Sequence, residues 1–163
     1  MSPKPVLLAT DGSPSAAAAT AEAIELAHAV GAPLIVTCVA HVAPPPYGAY
    51  YGYGEVVAEL RKAEDERVGE VLAATRQQAE ETGVACETVA LTGLPGKEIC
   101  ELARERNPRL VVVGAHGFGR VGRILHGSIS THVLHHAPCP VLVVHGDETA
   151  GEDELGAKAT ALA

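Results

Sequence analysis

Gly114 and Gly117 follow an aliphatic run, and after nine intervening residues Gly127 and Ser128 open a second small-residue cluster that includes Ser130. Glycine has no side chain to keep a ligand off the backbone and tolerates positive φ, so Gly114 and Gly117 can present N–H groups to an anion. Gly127 and Ser128 stand where a helix is expected to begin, and unpaired N–H groups with the positive end of the helix dipole attract phosphate there. Ser128 and Ser130 add hydroxyl donors. The chemistry that suits this spacing is the gripping of one phosphate chain from two sides. On the residues alone a second reading stays open, in which the glycines serve tight turns and Ser128 only caps its helix.

Charge points the same way. The formal net charge is −8, which argues against nucleic acid as a general partner, because phosphate backbones are bound through clustered Lys and Arg. Between Arg106 and Gly146 there is no Asp or Glu, while Arg109, Arg120, Arg123 and six of the eight histidines fall there. A carboxylate-free segment in an acidic chain suggests an anion site; buried strands that exclude carboxylates are the plainer explanation. Arg120 and Arg123, between the glycine clusters, can either reach phosphates or stay solvated. His132, His135 and His136 have the spacing of one helical face and could pair on a metal, but no nearby carboxylate or cysteine completes a site, so a partly exposed helix is the expected reading. Cys38, Cys86, Cys100 and Cys139 form no CxxC pair and read as buried free thiols in a reducing cytosol.

The elements that must position these groups alternate. Pro5 to Thr10 is a short apolar strand that ends in DGSPS, with Ser13 placed to cap a helix and Pro14 suited to its first position. The helix runs through Ala16 to Val30 and stops at Gly31. Leu34 to Val42 is a second strand. A Pro/Gly-rich loop with all four tyrosines follows. Glu55 to Thr82 carries Val57, Leu60, Val68, Val71, Leu72 and Ala79 at helical spacing. Val84 to Leu91 alternates as a third, less central strand. A helix from about Lys97 to Arg106 turns Ile99, Leu102 and Ala103 inward and ends at Asn107 and Pro108. Leu110 to Val113 is a fully buried central strand. A helix over Gly127 to His136 and a strand over Pro140 to His145 close the series. This predicts one α/β domain over residues 1–146, a three-layer α/β/α sandwich with a mostly parallel, Rossmann-like sheet. Residues 147–163 form an acidic tail with little to bury, expected to be disordered. No run is long enough for a membrane span and no signal peptide is evident, so a cytoplasmic protein is expected.

Several phosphate-binding schemes fail on particular residues. GFGRVG, Gly117 to Gly122, formally matches a dinucleotide fingerprint, but no acidic residue follows at the distance needed to hold a ribose. No lysine follows Gly114 until Lys158, so there is no Walker A loop. Asp11 lacks the acidic pair and late lysine of a phospho-acceptor domain.

The spacing of Gly114, Gly117, Gly127 and Ser128, with VLLATDGSPSA at the start and HAPCPVLVVH at the end, resembles the ATP-binding branch of the universal stress protein family over roughly residues 4 to 146. The resemblance implies five strands in the order 3-2-1-4-5. It implies nucleotide contacts at Ala9, Thr10 and Asp11 after the first strand and at Val39 beside the adenine. Gly114, His116, Gly117, Arg120, Gly127, Ser128, Ile129 and Ser130 would surround the ribose and phosphates, with Asp11 near Mg²⁺ carried by ATP. It further implies a homodimer through Val141 to Val144. Ala9 departs from the proline common in nucleotide-binding relatives, and the tyrosine-rich loop, residues 47–53, is individual to this chain. Two other functions stay open: a slow ATPase using Asp11 and Mg²⁺, with His116 or His126 as base, and a ligand-free signalling or scaffolding dimer.

Overall fold

The computed structural model describes residues 3–41, 54–115 and 128–146. The tyrosine-rich segment, His116, Gly117, Arg120, Gly127 and the acidic tail lie outside the described residues. Five strands alternate with four helices: β1 Val6–Ala9, α1 Pro14–Ala29, β2 Leu34–Ala40, α2 Gly54–Glu81, β3 Cys86–Thr92, α3 Pro95–Arg106, β4 Leu110–Gly114, α4 Ser128–His136 and β5 Val141–Val144. The sheet has the order β3-β2-β1-β4-β5 with every pairing parallel, which is the order that the resemblance implied.

The aliphatic runs become strands buried on both faces, and the period of two sorts their side chains. Leu8, Val36, Cys38 and Val112 face α1 and α2, where they pack with Ala19, Ala23, Ile24, Val68 and Leu72. Leu7, Ile35, Val39, Val111 and Val113 face α3 and α4, against Ile99, Leu102, Ala103 and Val133. The inner face of α1 is mostly alanine, which lets that helix approach the sheet closely. Each fully buried Leu or Val contributes about 1.5–3 kcal/mol, so the two aliphatic layers carry the fold.

Local signals set the helix ends. Ser13 sits at φ −68° and ψ 156° and accepts a hydrogen bond from Ala16 N, with Pro14 opening α1. Gly31 takes φ +61° just beyond the end of α1. Asn107, at φ +46°, caps α3 and donates its N–H to Ala103 O.

Helix α2 differs from expectation in its first turns. Leu60, placed by its spacing on the inward face, is 55% exposed, and the first buried side chain is Val68. Periodicity identifies the apolar stripe of a helix but not where the helix first meets the sheet. Among the described residues no helix is long and apolar enough to cross a membrane.

Candidate functional site: a cleft at the carboxyl ends of the strands

In the order β3-β2-β1-β4-β5 the chain leaves β1 for one side of the sheet and later fills the other side beyond it. The connections that leave the carboxyl ends of β1 and β4 therefore part toward opposite faces of the sheet, and open α/β sheets place ligands in the crevice at such a point. Here that crevice is a cleft lined by Ala9 at the end of β1 with Thr10 and Asp11 after it, Val39 on β2, Gly114 at the end of β4, and Ile129 and Ser130 on α4. Ala16, Thr37, Ile99 and Val113 complete the wall.

The cleft has two kinds of surface. Val39, Ile99, Val113 and Ile129 are apolar, and the first three are almost fully buried. Thr10, Asp11 and Ser130 supply the oxygen atoms, and Gly114 supplies backbone without a side chain. Ser130 is buried and its Oγ lies 3.4 Å from Ala115 O. Such a wall suits a flat apolar ring attached to a hydroxylated, charged group.

The turn after β1 is held in detail. Thr10 N donates to Thr37 O at 3.0 Å, and Gly12 N donates to Thr10 Oγ1 at 3.2 Å. Asp11 Oδ1 accepts from Ser13 N at 2.9 Å and from Ser13 Oγ at 2.6 Å. That is an Asx turn feeding directly into the cap of α1. Gly12 takes φ +73°, and a Cβ there would come 2.4 Å from Val71 Cγ2. Glycine is thus required at position 12 twice, by its backbone angle and by the close approach of α2.

Behind the turn lies a charged pair. Arg67 is hydrogen-bonded to Glu64 through Nε and Nη2 at 2.9 and 2.8 Å, which holds the Glu64 carboxyl below its ordinary value and the guanidinium firmly charged. Cys38, buried beside Arg67, has its thiol pushed up by burial against the opposing pull of that guanidinium.

Seven of the residues expected to touch nucleotide are therefore brought to one cleft: Ala9, Thr10, Asp11, Val39, Gly114, Ile129 and Ser130. Ser128 opens α4 and is exposed, outside the cleft wall. Sequence reasoning missed Thr37 and Val113, although each lies on the face of its strand that turns toward α3 and α4, two positions before Val39 and one before Gly114. It also read Ile99 only as core. Arg67 carried no motif at all.

The histidines of α4 do not converge on an ion. The rings of His132 and His136 stack at 4.2 Å with an interplanar angle of 18°. Ring lone pairs lie in the ring plane, and near-parallel planes meet far from both rings, so one metal cannot serve the two. His136 Nδ1 instead lies 2.9 Å from His132 O, and His132 packs over Gly96 of α3. Among the described residues no group of three or more His, Cys, Asp or Glu could hold a metal. Of the four free thiols, Cys38 and Cys100 are buried as expected, whereas Cys86 and Cys139, on β3 and just before β5 near the sheet edges, are only half-buried.

Comparison with known proteins identifies the family and the fold. The universal stress protein family profile matches residues 3–145. A universal stress protein of Methanocaldococcus jannaschii is 36% identical over 141 residues, which cover 86% of this chain and 81% of the relative. The solved structure of the universal stress protein UspA from Lactobacillus plantarum superposes with a TM-score of 0.78 at 26% identity, covering 89% of this chain and 99% of that one. A universal stress protein crystallised in complex with cAMP superposes with a TM-score of 0.65, also at 26% identity and with the same coverage of both chains. The profile match across the whole described fold, together with the archaeal relative, shows that this chain belongs to the universal stress protein family.

Proposed function

We propose that this protein binds ATP with Mg²⁺ in the cleft between β1 and β4 and acts as a cytoplasmic, nucleotide-dependent stress-response dimer. The observation that carries the reading is the mixed chemistry of the cleft wall. Val39, Ile99 and Val113 contribute buried apolar surface, while Asp11, Gly114 and Ser130 contribute a carboxylate, open backbone and a hydroxyl. The apolar residues suit an adenine ring and the polar ones a ribose-phosphate chain. The relative crystallised with cAMP supports an adenine nucleotide as the ligand class.

The donor set fits Mg²⁺ arriving with the nucleotide, since that ion is usually held by one or two carboxylates together with substrate phosphates and water. Asp11 would contribute the carboxylate, and the ion would neutralise charge on the phosphates. Asp11 Oδ1 already takes two hydrogen bonds from Ser13, which fits a positioned binding group better than a mobile proton acceptor. Binding, rather than rapid hydrolysis, is the function this arrangement supports.

β5 supplies the dimer surface. It is an edge strand whose four residues, Val141 to Val144, are all apolar and half-buried. An open apolar edge invites pairing, and a second copy meeting it would close the edge. Sedimentation across a hundredfold range of concentration tests this; a species of single-chain mass throughout overturns the dimer.

The nucleotide reading is tested by mass spectrometry of small molecules released on denaturing freshly purified protein, followed by calorimetric titration with Mg-ATP. Copurified ATP supports retention, and AMP or ADP supports turnover. A chain that releases no nucleotide and binds no added Mg-ATP overturns the reading and favours a ligand-free dimer. Asp11→Ala should weaken Mg-ATP more than adenosine.

A further inference from the structure

Arg67 lies in the middle of α2, and its guanidinium reaches the backbone of Asp11, a residue of the cleft wall. Nε and Nη2 bind the two carboxylate oxygens of Glu64, one turn earlier on the same helix. That two-point contact aims the remaining nitrogen, and Nη1 donates to the backbone carbonyl of Asp11 at 2.9 Å. Nη2 also lies 3.9 Å from Cys38 Sγ on β2. Glu64 Oε1 in turn is 3.4 Å from His41 N, just past β2, and His41 Nδ1 pairs with Gly93 O after β3 at 2.9 Å. One side chain and its partner thus join α2 to the carboxyl ends of β1 and β2 and, through His41, of β3.

The consequence falls on one peptide unit. The Asp11 carbonyl is fixed by Arg67 and the Gly12 N–H of the same peptide by Thr10 Oγ1, while Ser13 holds the Asp11 side chain. With both ends held, the plane between Asp11 and Gly12 is set before any ligand arrives. Ordering backbone costs conformational entropy, and a turn ordered in advance spares the ligand that cost. The apolar wall residues Val39 and Val113 have no such dependence, because they belong to interior strands held by the sheet itself.

We propose that Arg67 is a positioning residue for the phosphate side of the site, fixing the Asp11 turn through the Asp11 carbonyl; this rests on the adenine-nucleotide reading of the cleft. An arginine suits the task because its planar fork can bind a carboxylate at two points and still direct a third donor elsewhere.

The experiment compares Mg-ATP with adenosine by calorimetry on the full chain and on Arg67→Met and Arg67→Lys, with ligand-free amide exchange at Ser13 read by NMR. Arg67→Met should weaken Mg-ATP about tenfold, the loss of one charge-assisted hydrogen bond, and leave adenosine within about twofold. Lysine keeps the charge without the fork and should restore only part of the loss. Equal weakening of both ligands overturns the proposal by making Arg67 a general structural residue. Full recovery in Arg67→Lys also overturns it, because charge alone would then suffice. If the unaltered protein binds neither ligand, the nucleotide reading falls, and amide exchange decides the positioning separately. Ser13 exchange should accelerate about tenfold in Arg67→Met, and unchanged exchange overturns the positioning role. Should Arg67→Met not fold, Glu64→Gln loosens the fork while keeping the guanidinium charge. It should weaken Mg-ATP about threefold, and no change would overturn the proposal.

Discussion

Gly12→Ala isolates the contact between the Asp11 turn and α2, and its cost has two parts. At φ +73° any residue with a Cβ is strained, by about 1–2 kcal/mol. The new Cβ would also fall 2.4 Å from Val71 Cγ2. Valine is stiff at χ1 and α2 is packed against the sheet, so relief requires displacement of the turn or the helix, which in packed interiors costs about 1–3 kcal/mol. The sum is about 2–5 kcal/mol, and for a chain of this length each kcal/mol moves Tm by about 2–4 °C, so Gly12→Ala should melt about 10 °C lower. Urea and thermal unfolding followed by circular dichroism, without ligand, measure it. Val71→Ala removes both γ-carbons and should relieve the clash but not the backbone strain. Gly12→Ala with Val71→Ala should therefore show a favourable coupling of about 1–2 kcal/mol in a double-mutant cycle. A Gly12→Ala protein within about 0.5 kcal/mol of the original, or two variants whose effects simply add, would refute the idea that α2 presses on the turn that carries Asp11.

Four further outcomes are expected. Leu8→Ala, at a fully buried position on the central strand, should cost about 2–5 kcal/mol in urea unfolding, whereas Leu94→Ser, 62% exposed, should stay within about 0.5 kcal/mol. Ellman's reagent at pH 8 should label half-buried Cys86 and Cys139 before buried Cys38 and Cys100. Burial raises all four thiols, so the native chain keeps protons that the unfolded chain releases, and stability should fall as pH rises past about 8.5. The Arg67 hydrogen bonds lower Glu64, so in acid the unfolded chain binds that proton first. The contribution of Glu64 is present above its ordinary value near 4.5 and should be lost as pH falls below it, and Glu64→Gln should flatten that limb of the stability curve.

What the chain carries locally was readable residue by residue. Ser13 and Pro14 mark the start of α1, Gly31 and Asn107 mark helix ends, and the aliphatic runs at Leu34 and Leu110 mark buried strands, because caps, positive φ and burial period are properties of a few consecutive residues. The cleft was readable in part for the same reason: Asp11, Val39 and Gly114 stand at or near strand ends, where a parallel sheet collects its ligands. The order of the strands came from family resemblance rather than from any local signal. Tertiary structure alone decided that Leu60 stays exposed while Val68 is buried, since that depends on where α2 crosses the sheet. It alone brought Val71 against Gly12 and carried the Arg67 guanidinium to the Asp11 carbonyl, 56 residues away in sequence. Those contacts depend on the distance and angle between packed helices and strands, and no spacing within a single element encodes that relation.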